Sequence, residues 1–254
     1  MKNPLKYSIG SRVRDSYILN MLNPNKGTRI LDLGCGIGYY CEFLSGFGAE
    51  LIGCDLDFNA VFMAKELYPA YHFSINDAAH LPFIAGSFAK VLCSEVLEHI
   101  EDDATVIREM SRVIKPKGRL LITVPCIEGL FGSLIKSLGH KCHYKFERHF
   151  RKGYSIKTLK QLCLRNNLKL LNYRYTMTFF VEIYMGITKL LFLLFNKRSL
   201  SSQASLKDFN YDSLLIKINA LFIRILLKLG TMEDRLLSHI LKGHMLIALF
   251  QKDD

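Results

Sequence analysis

The sequence predicts a doubly wound α/β fold with a mostly parallel sheet. Two observations carry this. Short apolar strands alternate with helical segments from residue 29 to residue 125, the pattern of a parallel sheet covered on both faces. A glycine-rich turn, Gly34, Gly36 and Gly38, sits between the first strand and the first helix of that series. Glycine lets a backbone turn sharply and approach a ligand where a Cβ would clash. The helix behind such a turn directs its unpaired N–H groups at the same spot.

Residues 1–28 read as a lead-in with one helix around Ser11 to Leu22, ended by Asn23-Pro24. Arg29 to Leu33 is the first strand, with Asp32 as its one acid, and Tyr39 to Phe47 the helix after the turn. The spacing is G-x-G-x-G, because Tyr39 stands where a dinucleotide fingerprint would need its third glycine. Glu50 to Cys54 is a second strand ending in Asp55, placed to accept hydrogen bonds from two ribose hydroxyls. Phe58 to Tyr68 reads as a helix, Tyr71 to Ile75 as a third strand and Phe88 to Cys93 as a fourth. A helix then runs to Ile114, stopped by Lys115-Pro116-Lys117-Gly118, before a fifth strand from Arg119 to Pro125. Such a sheet gathers its ligand at the carboxyl ends of its strands, where Gly34–Gly38, Asp55, Asp77 and Ser94 converge.

This block order, with RILDLGCGIG, the acid at Asp55 and NDAAHLPF at 76–83, resembles the class I methyltransferases, and among them the type 11 methyltransferase domains. The resemblance implies a seven-stranded Rossmann-like sheet and S-adenosylmethionine as cofactor. It implies a cofactor set of Asp32, Gly34, Cys35, Gly36, Gly38, Asp55, Leu56, Asp77, Ala78 and Ser94. In it the glycines cradle the methionine end and Asp32 helps fix their turn. Asp55 takes the ribose, Asp77 the adenine amino group, and the Ala78 N–H a ring nitrogen. Read without the resemblance, Asn76-Asp77 is turn chemistry. The lead-in helix is expected over the cofactor, with Tyr7 or Tyr17 lining the pocket or simply packing on the sheet.

SEVLEHIED at 94–102 admits two readings. Glu95, Glu98 and His99 have a metal-cluster spacing if helical, similar to the small-RNA terminal 2′-O-methyltransferases. Many metal-free methyltransferases carry the same run to orient the loop beneath the cofactor, and no metal is expected here. His140, Cys142, His143 and His149, with Cys126, do not make a convincing zinc set. ERHFRKGYSIKTLKQL resembles the segment in which a histidine and an aromatic precede a helix at the active-site mouth. His149 is therefore the first candidate for general base and His99 the second.

Ser155 to Asn166 is a helix, Leu168 to Thr176 the sixth strand and residues 243–253 the seventh. The expected organisation is a lead-in at 1–28, a core at 29–176, a helical amphipathic insertion at 177–242 and a closing strand at 243–254. The insertion is the departure from the family's pattern. Thr176 to Phe195 is apolar but interrupted by Glu182 and Lys189, and a transmembrane pair is rejected. In Leu214 to Leu229, Lys217, Arg224 and Lys228 fall on one stripe of a helix otherwise made of Leu, Ile and Phe. That is the pattern of a helix lying in lipid headgroups, or of a cap packed on the domain or a twin subunit.

Composition bounds the rest. The 254 residues suffice for a full core, and half of them are apolar. Net charge is +11, yet residues 1–125 hold 13 Lys/Arg against 14 Asp/Glu and residues 126–254 hold 21 against 9. The basic excess lies wholly in the second half, a face for lipid headgroups or nucleic acid, or a solvated surface. Seven scattered cysteines without a C-x-x-C pair read as reduced thiols of a cytoplasmic protein; Met1 to Arg14 carries no apolar run, so no signal peptide is expected, and peripheral contact with the inner face of a membrane is. The expected function is methyl transfer to a small amphipathic acceptor, such as a quinone, isoprenoid or lipid-linked precursor. An RNA methyltransferase and a non-catalytic cofactor-binding regulator are the alternatives. The basic residues are interleaved with aliphatics rather than stacking aromatics, so nucleic acid is not the expected partner.

Overall fold

A computed structural model describes residues 9–128, 150–151, 153–176, 232 and 242–254, and the side chains among them from residue 14 onward. It contains α1 (Ile9–Leu22), β1 (Arg29–Leu33), α2 (Tyr39–Ser45), β2 (Glu50–Asp55), α3 (Phe58–Leu67), β3 (His72–Ile75) and β4 (Phe88–Ser94). These are followed by α4 (Asp103–Val113), β5 (Ile114–Pro125), α5 (Ile156–Leu164), β6 (Leu168–Thr176) and β7 (Met245–Lys252). The helix starts have local causes. Asp57 caps α3 by accepting from the Asn59 and Ala60 amides, Asp102 caps α4 through Thr105, and Ser155 caps α5 through Thr158.

The strands form one seven-stranded sheet in the order β3-β2-β1-β4-β5-β7-β6. The first five are mutually parallel, and β7 runs antiparallel to both its neighbours. Side chains alternate across the sheet as the pleat requires. Ile30, Leu51, Leu92, Leu121 and Ile247 pack with α1, α2 and α3 on one face. Leu31, Ile52, Val91, Leu120 and Phe250 pack with α4 and α5 on the other. Right-handed crossovers that run outward in opposite directions from β1 and β4 put their helices on opposite faces. A crevice therefore opens between the carboxyl ends of β1 and β4.

One detail differs from the sequence reading. The fifth strand begins at Ile114 rather than Arg119, because Ile114 already pairs with Phe88 before the register shifts and resumes at Arg119 and Lys90. Lys115–Gly118 is thus an excursion within the strand, with Lys117 at φ 59°. The seventh strand pairs antiparallel with the sixth, as expected. It inserts between β5 and β6, so β6, parallel to β5, becomes the edge strand. Thr176 and Met245 are register partners, and Met245 also faces Pro125. The segment between β6 and β7 therefore leaves and re-enters the sheet at the carboxyl edge. The proposed helices of 177–242 lie outside the described residues apart from Met232 and Lys242.

Candidate active site

The glycine turn is built between β1 and β2. The amides of Gly34 and Cys35 both donate to the Cys54 carbonyl, at 2.8 and 3.0 Å. All three glycines have positive φ, at 73°, 50° and 83°, but for different reasons. A Cβ on Gly34 would lie 2.2 Å from Val96 Cγ2, and one on Gly38 would lie 2.8 Å from Phe73 Cζ. Those two permit close packing. A Cβ on Gly36 would meet nothing within 4 Å, so Gly36 is the residue whose bare backbone faces open space. The sequence assigned all three to a ligand, and a Cβ at two of them would meet neighbouring side chains.

Asp55 ends β2 directly beside this turn. Its Oδ2 accepts from the Gly36 amide at 2.8 Å and its Oδ1 from the Asp57 amide at 3.0 Å. Each oxygen keeps lone-pair capacity for a second donor. Leu56 and Ile75 are 70% and 46% exposed beside it, apolar surfaces that an aromatic ring could cover. Asp77 follows β3, whose end is tied to β2 by the Asn76 amide donating to the Asp55 carbonyl. The Asp77 Oδ1 accepts from the Ala79 amide at 2.9 Å, and Oδ2 lies 3.6 Å from His80 Nδ1. Asp77 is thus a turn former with exposed carboxylate surface, and Ala78 beside it is half-buried. Ser94 ends β4 with its hydroxyl 2.8 Å from that of Thr123.

Asp32, expected to help fix the turn, is buried beside it. It is 1% exposed, and its Oδ2 accepts from the Cys41 thiol at 3.6 Å. Burial pushes its carboxyl from 3.8 up to about 7; the Asp55 charge adds to the rise and the Cys41 hydrogen bond opposes it. Cys35 and Cys54 flank it, and burial drives both thiols above their ordinary value. These cysteines are therefore packing residues and poor nucleophiles.

The lead-in helix is fastened over this region by charged groups that sequence reasoning missed. Arg14 pairs with Glu95 at 2.7 Å, and its Nε donates to the Tyr40 hydroxyl at 2.8 Å. Tyr39 donates to Asp15. Tyr17 packs against the core of that face, and Tyr7 lies outside the described residues. No local signal marks Arg14, because its partners lie 26 and 81 positions away.

The helical argument for SEVLEHI does not hold. Glu95 has φ 58° and precedes a single 3-10 turn at Leu97–His99, so residues 95, 98 and 99 do not share a helical face. Glu98 is buried and His99 exposed. Among the described residues no group of three or more His, Cys, Asp or Glu is arranged to hold a metal ion. His149, His140, Cys142 and His143 lie outside the described residues. Just after them, the amides of Phe150 and Arg151 donate to the Glu98 carbonyl at 2.9 and 3.2 Å, and Tyr154 donates to Asp103 at 2.7 Å.

A second arrangement the sequence did not reveal lies on α4. Glu109 and Arg112 form an ion pair at 2.7 Å, and hydrogen bonds from Arg112 hold the Glu109 carboxyl below its ordinary value. The pair reaches the backbone of the loop after Asp77.

Residues 31–122 match the family model described as a methyltransferase domain. Among curated relatives, a methyltransferase, GfsG, of Streptomyces halstedii is 32% identical over 47% of this chain and 45% of its own. A demethylmenaquinone methyltransferase of Beutenbergia cavernae is 35% identical over 41% of this chain and 43% of its own. A ubiquinone biosynthesis O-methyltransferase of Thiobacillus denitrificans is 36% identical over 37% and 43%. The chain spans less than half the length of each. Among solved structures, phosphoethanolamine N-methyltransferase 2 of Haemonchus contortus, in complex with S-adenosyl-L-methionine, superposes with TM-score 0.62 at 19% identity, over 95% of this chain and 52% of that one. The [4+2]-cyclase SpnF superposes with TM-score 0.63 at 15% identity, over 96% and 82%. One fold thus carries unlike reactions, and the site must argue the chemistry.

Proposed function

We propose that this chain, which carries a class I S-adenosylmethionine-dependent methyltransferase domain over residues 31–122, transfers a methyl group to a small amphipathic acceptor presented at a membrane surface. Its cofactor is S-adenosylmethionine. The observation that carries the reading is Gly36, open in front and hydrogen-bonded through its amide to Asp55. A nucleoside against that turn would find a carboxylate for its ribose and exposed Leu56 and Ile75 for its base.

When bound, the cofactor supplies an electrophilic methyl group on a positively charged sulfur. The chain's own residues then hold and orient. Asp55 would accept from the ribose hydroxyls, Asp77 would accept from the adenine amino group, and the Ala78 amide would donate to the ring. Fixing donor and acceptor in one crevice supplies much of the rate by orientation alone. The proton released by an oxygen or nitrogen acceptor goes to a base, for which His149 is the first candidate and His99 the second.

The amphipathic acceptor rests on two supports. Relatives named for demethylmenaquinone and ubiquinone biosynthesis suggest a class with an aromatic head and a lipid tail. The segment between β6 and β7 begins and ends at the ligand edge of the sheet, and its sequence is apolar and basic. Among the described residues no helix is long and apolar enough to cross a membrane, so contact from the surface is the arrangement proposed. The test is incubation of the protein with methyl-labelled cofactor and separate lipid, small-molecule and RNA extracts. Label in a lipid-soluble quinone or isoprenoid fraction supports the reading. Label confined to RNA replaces it with the alternative the basic half suggests, and no label in any fraction despite cofactor binding leaves a non-catalytic binder.

A further inference from the structure

Asp77 is exposed, and its own hydrogen bonds are local ones, to Ala79 and His80. Upstream the segment is fixed by the sheet through Asn76 and Asp55. Downstream the loop packs Leu81 and Phe83 into the core, and its backbone is gripped by α4. The Leu81 amide donates to Glu109 Oε2 at 3.0 Å. Arg112 Nη2 donates to the Leu81 carbonyl at 2.9 Å and Nη1 to the Phe83 carbonyl at 2.7 Å. Arg112 Nε and Nη2 also bind the two oxygens of Glu109 at 2.7 and 2.8 Å. Even the Arg112 carbonyl takes part, accepting from the Gly86 amide at 3.0 Å. One planar guanidinium, oriented bidentately by a carboxylate, thus holds two carbonyls of a single loop. The turn from Asp77 to His80, closed by a 3.0 Å backbone bond, leads directly into the gripped residue.

We infer that Glu109 and Arg112 are positioning residues of the cofactor site, a clamp that presents Asp77 and Ala78 to the nucleoside base. This rests on the function proposed above. Both side chains are spent on the loop backbone and on each other, and they act by sparing the ligand the cost of ordering that loop. A lysine at 112 keeps the charge but has a single head, and it cannot span Leu81, Phe83 and Glu109 together.

The experiment is calorimetric titration of S-adenosylhomocysteine and of 5′-methylthioadenosine into wild type, Arg112→Met, Arg112→Lys, Glu109→Gln and Asp77→Ala, at a temperature where circular dichroism shows each folded. Arg112→Met is expected to weaken both ligands roughly tenfold, since both carry the base that the loop meets. Arg112→Lys and Glu109→Gln should lose less. The deciding readout is the pair: in an Asp77→Ala background, Arg112→Met should cost little further. A folded Arg112→Met with wild-type affinity, or fully additive losses in the double variant, overturns the clamp while leaving the cofactor reading intact. Wild-type protein that binds neither nucleoside overturns the cofactor reading, and the clamp with it.

Discussion

Asp32→Asn should change how the ligand-free protein responds to pH. The carboxyl of Asp32 rises from 3.8 in the unfolded chain to about 7 in the fold. Between those values the folded state holds a proton that the unfolded state has released. Stability therefore declines as pH climbs from about 4 to about 7 and is level above, the reverse of a salt-bridged carboxylate. At about 1.36 kcal/mol per pH unit the swing is about 4 kcal/mol as an upper bound. With Asp32 1% exposed, solvent screening takes little from it. That is a large share of the roughly 5–15 kcal/mol that holds a domain together. Asparagine keeps the acceptor for the Cys41 thiol and cannot ionise. The assay is urea denaturation of both proteins at pH 5 and pH 8, taking the difference between them so that other titrating groups cancel. Between pH 5 and pH 8 only the part of that window above pH 5 is crossed, so the asparagine variant should gain about 2–3 kcal/mol relative to wild type. A stability difference that stays the same at both pH values would refute the buried-acid argument.

Other predictions follow from the same region. Gly34→Ala should lower stability by roughly 3 kcal/mol through its clash with Val96 and its φ of 73°. Gly36→Ala should cost only about 1 kcal/mol of stability yet weaken cofactor binding at least roughly tenfold, because its methyl enters the ligand's space; thermal melts and calorimetry separate the two outcomes. Asp55→Ala should weaken cofactor binding by about a hundredfold, the loss of two hydrogen bonds to a charged group, and unchanged affinity would overturn the ribose assignment. Arg14→Ala removes the bonds to Glu95 and Tyr40, so amide exchange should quicken in residues 9–22 and not in β1 or β4.

Local pattern made much of this molecule legible. Residues 29–33 form a strand as their apolar run suggests, residues 168–176 form the expected sixth strand, and Asp55 and Asp77 stand at strand ends because parallel crossovers leave them there. What the sequence concealed is long-range pairing. Arg112 looks like a solvated helix residue three positions from an acid, and nothing nearby discloses that it grips carbonyls 29 and 31 residues back. The place of β7 between β5 and β6 is legible in part, since its unbroken apolar run suits a strand buried on both faces and the polar-interrupted β6 suits an edge. Glu95 misled for a different reason. Its spacing suits a helix, but a left-handed backbone at that position cancels the periodicity.

The register of Thr176 against Met245 has an evolutionary consequence. Because the flanking strands stand shoulder to shoulder there, the 68 residues between them amount to the loop of a hairpin, however long. Such a joint accepts exchange: one module could be cut out and another spliced in without altering a hydrogen bond of the sheet. Lineages could thereby change the guest molecule while inheriting the nucleoside grip intact.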